Sequence, residues 1–144
     1  MIYQYKNDPC KKLVFSEDRD LQLKISMVHF TEEIEIRDCI VRDFEVFGVY
    51  CIRGLSVRNT TFDCEIIWQS GGHNTRPIVF ENCVFKRFVD FEDCDFEDEF
   101  ILRNVTFIEG TNLLGNKGTP VEVSFSRFPL LDNVNGTLTI DSFK

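Results

Sequence analysis

An eight-residue pattern recurs along the chain and restricts what it can fold into. It reads apolar, any, apolar, any, Asn or Asp, small, any, large apolar. The copies occupy 34–41, 55–62, 78–85, 100–107 and 121–128, so their starts step by 21, 23, 22 and 21 residues. A half-step copy fills 89–96. A fixed period of about 20 residues is the signature of stacked units, each burying its apolar face against the next, which is a solenoid.

A shorter period lies beneath the long one. Apolar-x-apolar triplets begin at Ile34, Cys39, Phe44, Val49, Leu55, Thr60 and Ile66, then at Ile78, Cys83, Val89, Cys94, Phe100 and Val105. Most steps are five or six residues, and 23–25 and 28–30 join the series upstream. Alternation makes each triplet a short strand with two side chains inward and one outward. The residues between triplets turn a corner. Four corners close a coil, and the next coil stacks on it in parallel. Steps of five and six do not hold one face of a helix, so a helical reading fails.

Stacking turns repeat positions into columns. Val41, Phe62, Phe85, Phe107 and Phe128 form a large interior column. Cys39, Thr60, Cys83, Val105 and Ser126 form a small one beside it, as a narrow filled core requires. Asp38, Asn59, Asn82 and Asn104 fall at a corner, where Asx residues tolerate a left-handed backbone. Phe125 interrupts that column, so the last coil is expected to turn differently. Residues 1–20 match the repeat poorly and are expected to cap the stack. Coils then span 21–128, and 129–144, with Phe143, close the far end. Without such closure the ends would present unpaired strand edges.

Cys83 with Phe85, Val89 with Phe91 and Cys94 with Phe96 place a small residue two positions before Phe. In this the chain resembles the pentapeptide-repeat proteins over about residues 23–107, and more weakly over 121–143. Inserted sixth residues and triplets built on Ile or Val depart from that family's pattern. The resemblance implies an all-β, right-handed, quadrilateral parallel β-helix of roughly five to six coils. Many members of that family are non-catalytic, and some mimic duplex DNA in shape and charge.

The chain has 144 residues, which suits one domain. Its 15 Phe against one Trp and three Tyr fit a dry interior ladder. No apolar run is long enough to span a membrane and no leader precedes the repeat, so the reading is a cytoplasmic protein without membrane contact. Six Cys are present, with no Cys-x-x-Cys pair and no Cys/His cluster. Cys39 and Cys83 sit two coils apart, too far to bridge. The thiols are therefore expected to be reduced packing residues, and no structural zinc or other cofactor is indicated.

The densest charge is the run Asp90, Glu92, Asp93, Asp95, Glu97, Asp98 and Glu99. Phe91, Cys94 and Phe96 would point inward, leaving the acids on one outer edge. Such an edge either solvates the rod or docks a basic protein; a calcium site would need a turn wrapping the ion, which the run lacks. Arg37, Arg58, Glu81 and Arg103 form a mixed-charge surface column. Val79, Ile101 and Val84 are outward positions that would make an apolar strip, an interface for a second copy or another partner. The polar segments 69–77 and 109–120 interrupt the triplets, and the first brings His73 beside Trp68 as a further interface candidate.

No Ser/His/Asp or Cys/His arrangement emerges from the spacing. Outer-face Asp90, Asp93 and Asp95 are the sort of cluster that large β-helix carbohydrate enzymes use, but the rod is short and lacks long flanking loops. A net charge of −8 without a basic aromatic patch speaks against nucleic-acid binding. The expectation is a non-catalytic protein-binding module, of inhibitor, DNA-mimic or toxin-antidote type. A self-assembling structural rod and a carbohydrate-active enzyme are the rival classes.

Overall fold

The computed structural model describes residues 1–117 and 123–141. Among them there is no helix, and every strand pairing is parallel. The strands stack as a β-solenoid of about five turns. Parallel pairing of consecutive coils follows from the period, because each coil returns the chain to its starting corner one strand spacing along the axis. No helix among the described residues is long and apolar enough to cross a membrane.

Each coil has four faces. The first carries Leu13–Ser16, Ile34–Arg37, Leu55–Arg58 and the leading halves of Ile78–Phe85, Phe100–Phe107 and Leu130–Asn135. The second carries Leu21, Ile40 and Val41, Thr61–Phe62 and the trailing halves of the same long strands. Past a register shift the strand Ile40–Glu45 runs on around the next corner, where Asp43, Phe44 and Glu45 pair with Gln22, Leu23 and Lys24, and these with Ile2–Gln4. The third pairs Ile66–Ile67 with Val89–Asp90, and Val89 bridges on to Thr111. The fourth runs through His29–Phe30, Tyr50–Cys51, Gly72, Cys94–Phe96 and Val123–Phe125.

The corner between the first and second faces is left-handed in every coil. Asp38, Asn59, Asn82, Asn104 and Asn133 have φ between 50° and 55°. Their side chains form a ladder. Asn59 donates to Asp38 at 3.2 Å, Asn82 to Asn59 at 3.2 Å, Asn104 to Asn82 at 3.1 Å and Asn133 to Asn104 at 2.7 Å. An amide carries both a donor and an acceptor, so it is suited to bond the coil above and the coil below.

The core lies where the columns place it. Val41, Phe62, Phe85 and Phe107 are buried, and the three Phe rings stack at 4.7 and 4.8 Å. Cys39, Thr60, Cys83 and Val105 are buried beside them. Trp68 fills the opposite part of the interior against Phe91 and Phe96.

The last coil departs from the expected alignment. Val123–Phe125 pairs with Cys94–Phe96 on the fourth face rather than with the strand at 100. The true partner of Phe100–Phe107 is Leu130–Asn135, and the corner step lengthens to 29 residues, from Asn104 to Asn133. The Asn column therefore continues at Asn133, and Phe125 never belonged to it. Phe128 is 77% exposed instead of closing the Phe column, and Ser126 is exposed too. Val134 takes the small-column place opposite Val105. Residues 1–20, expected as a cap, supply the strands Ile2–Gln4 and Leu13–Ser16 of the first coil. Gly118, Pro120, Val121 and Phe143 lie outside the described residues.

Candidate functional site

The acidic run spans half a coil, so it wraps around the solenoid instead of lining one edge. Asp90 lies on the third face, Asp93 at the next corner, Asp95 on the fourth face, and Glu97, Asp98 and Glu99 at the corner leading back to the first. Phe91, Cys94 and Phe96 point inward between them, as the alternation requires.

The seven acids fall into two groups. Glu97 is paired with His73. Asp98 and Glu99 flank Arg127 at 3.7 and 3.6 Å. The pairing register puts Arg76 at this same corner one coil earlier, so cations border this end of the run. Asp90, Glu92, Asp93 and Asp95 differ. Among the described residues, no Lys, Arg or His is within ion-pair distance of them. Neutral groups hold them instead. Gln69 and Asn112 donate to Asp90 at 2.7 and 2.8 Å, with the Glu92 amide at 2.9 Å. Ser70 donates to Asp93 at 3.0 Å.

The segment 69–77 is a fitted side of its coil and not a loop standing off it. Gly72 bridges in parallel to Tyr50 on one side and Asp95 on the other. A Cβ at Gly72 would meet the Asp95 carbonyl at 2.2 Å, and one at Gly71 would meet Trp68 Nε1 at 2.3 Å. Trp68, expected at an interface, is buried and donates from Nε1 to the Val49 carbonyl at 3.0 Å. Asn74 is buried too; it donates to the Arg76 carbonyl at 2.8 Å and accepts from the Glu97 amide at 3.1 Å. Gly72 and His73 both have positive φ, 100° and 53°, and the chain bulges there. The bulge turns the His73 side chain outward.

His73 thus joins a surface row on the fourth face. His29 is exposed and stacks on Tyr50 at 3.8 Å with the rings 3° from parallel. Tyr50 in turn meets His73 at 4.5 Å. Ligand atoms of His73, Asp95 and Glu97 all lie within 4.8 Å of one another. An open groove of about 310 Å³ covers this spot, lined by Tyr50, Ser70, His73, Asp93, Asp95 and Ser124 among others. His29 and Tyr50 sit 21 residues apart, so the period made their stacking readable. The His73 bulge breaks the period, and nothing in the spacing announced it.

Of the apolar strip, Val79 and Ile101 are register neighbours on the first face, as expected. Ile101 is nevertheless buried, and Val79 and Val84 are half-buried, so the strip is not an open apolar surface. The charge column Arg37, Arg58, Glu81, Arg103 pairs in that order and extends to Asp132. Glu35 relieves its arginines, lying 3.1 Å from Arg37 and 3.8 Å from Arg58, with Lys12 at 3.5 Å. The cysteines are all free; Cys10 is exposed and Cys39, Cys51, Cys83 and Cys94 are buried.

Fold and site together define a parallel β-solenoid with an acidic corner and an adjoining imidazole–carboxylate cluster. No protein-family model, curated protein or solved structure matches the chain.

Proposed function

We propose that the chain is a non-catalytic protein-binding module that docks a basic partner protein on the corner around Asp93. The observation that carries this reading is the second group of acids. Asp90, Glu92, Asp93 and Asp95 stand within six residues on a rigid scaffold, without a cation beside them among the described residues. Fixed like charges repel one another, and a partner surface rich in Lys and Arg relieves that repulsion while being steered toward it. Arg127 and His73 border the patch, so the docking surface is narrower than the full acidic run.

The coil type in this reading is the right-handed pentapeptide-repeat kind. Its support is the stacked Phe column beside a column of Cys, Thr and Val, repeated coil by coil. An inhibitor, DNA-mimic or antidote role fits the same surface, and the cytoplasm fits the free buried thiols.

The test compares the native chain with Glu92→Gln/Asp93→Asn/Asp95→Asn, using the partner captured at low salt. Asn at 93 keeps the left-handed backbone accessible, so the variant should fold. Its association should be slower at low salt, and the difference should narrow as salt screens the field. Unchanged association kinetics at low salt would reduce the patch to a solvated face.

A further inference from the structure

We propose that His73, Asp95 and Glu97 form a binding site for one divalent transition-metal ion. The proposal rests on the mixed donor set and its placement, and it is independent of the docking reading except that Asp95 is common to both. Three different ligand groups come from two adjacent coils: His73 from the bulge after Gly72, Asp95 and Glu97 from the coil beside it. Their donor atoms lie within 4.8 Å of one another. An ion bound at roughly 2.0–2.2 Å from nitrogen and oxygen needs donor separations on the order of 3–4 Å. His73 Nδ1 and Glu97 are closer together than this, and Glu97 is exposed, so its carboxylate is free to swing aside as an ion enters.

The scaffold fixes the other two groups. Asp95 is the outward residue of the strand Cys94–Phe96, whose neighbours Cys94 and Phe96 are buried. Gly72 is clamped between Tyr50 and Asp95 by parallel bridges, which leaves His73 little freedom to move away. The Tyr50 ring lies against the His73 imidazole at 4.5 Å and orients it. The Glu97 amide is held by Asn74.

The chemistry of the donors selects the class of ion. One imidazole with two carboxylates suits zinc, cobalt, nickel or manganese. Calcium prefers six to eight oxygens, and magnesium retains its water shell and has little use for an imidazole. Three protein donors leave positions open toward the groove, where water or a partner's side chain completes the shell. Asp93, Ser70 and Ser124 line that groove and offer oxygen to such waters.

Cobalt(II) chloride is the probe, because a nitrogen–oxygen site gives it visible absorption. The exposed thiol of Cys10 is a competing ligand, so the titration uses a Cys10→Ser background. One equivalent should bind, with visible bands and a higher thermal midpoint, and zinc should displace it. His73→Gly keeps the left-handed backbone available and removes the imidazole; it should lose both responses. Glu97→Gln preserves shape and leaves Glu92 and Asp93 untouched; it should weaken binding at least about tenfold. Calcium or magnesium at the same concentration should do neither. Absence of any cobalt response in the Cys10→Ser protein, or an undiminished response in Glu97→Gln and His73→Gly, overturns the proposal.

Discussion

Phe85 shows how a single position reports on the whole stack. Its ring lies between Phe62 and Phe107 with interplanar angles of 6° and 5°, and Phe80 meets it edge-on at 5.4 Å. Phe62 and Phe107 are themselves held in the stack, so neither can move into a vacated site without losing its own contacts. Phe85→Ala should therefore cost about 3–5 kcal/mol in a denaturant melt. Thr106→Ala, an outward change on the neighbouring coil, should cost under about 0.5 kcal/mol. Equal losses would mean that inside and outside are wrongly assigned. The buried thiols carry a second residue-scale consequence. Burial pushes Cys51, Cys83 and Cys94 up to about 12 from an ordinary 9.0. Between those values the unfolded chain releases protons that the native chain keeps, so stability is full below about pH 9 and falls as pH rises through the window. Cys51→Ala removes one such group. Its melts should lose less stability than the native chain's between about pH 7 and 10.5, and identical slopes would contradict the burial.

At the scale of the element, the fourth face depends on glycine at one point. Gly72 has φ 100° and its Cβ position is occupied by the Asp95 carbonyl. Gly115 has nearly the same φ, 97°, with nothing within 4 Å among the described residues. Gly115→Ala thus carries the conformational penalty alone, about 1–2 kcal/mol, whereas Gly72→Ala adds a backbone collision. Chemical denaturation should rank Gly72→Ala clearly the more damaging; a reversed order would remove the parallel bridge from Tyr50 through Gly72 to Asp95. The sequence pattern revealed the strands wherever two inward residues repeat at a fixed step, as at Ile34, Leu55, Ile78 and Phe100. It revealed the Asn corner for the same reason. It misplaced Val123–Phe125 because Val123 and Phe125 alternate like a first-face strand while an insertion shifts them to the fourth face. Pattern records which residues face inward, not which coil side they occupy. The site was legible only in part. Acids on outward positions follow from alternation, but their partners His73 and Arg127 come from bulged or lengthened coils, where the step that predicts neighbours no longer holds.

In the whole molecule, each coil is stabilised by the coils on either side, so stability should vary along the axis instead of being uniform. The interior runs without a break from Leu13 to Leu113. Beyond it the packing thins. Between 123 and 139 Pro129 alone is buried, while Phe128, Leu130 and Leu131 are exposed. The strand Leu130–Asn135 is held chiefly by its pairing with Phe100–Phe107 and by the Asn133–Asn104 bond. By contrast, Ile78–Phe85 is paired on both sides along nearly its full length. Backbone hydrogen bonds backed by buried apolar side chains open only with the core, and those without such backing open alone. Native-state hydrogen exchange should therefore grade along the solenoid. Amides of Ile78–Phe85 should exchange at the global unfolding rate. Those of Leu130–Asn135 should exchange faster, through opening of the last coil. In Phe85→Ala the central amides should lose most of their protection, while the last coil, already opening on its own, should change little. Uniform protection from Leu13 to Asn135 would instead mean a single cooperative unit, in which the sparsely packed last coil is bound as tightly as the centre.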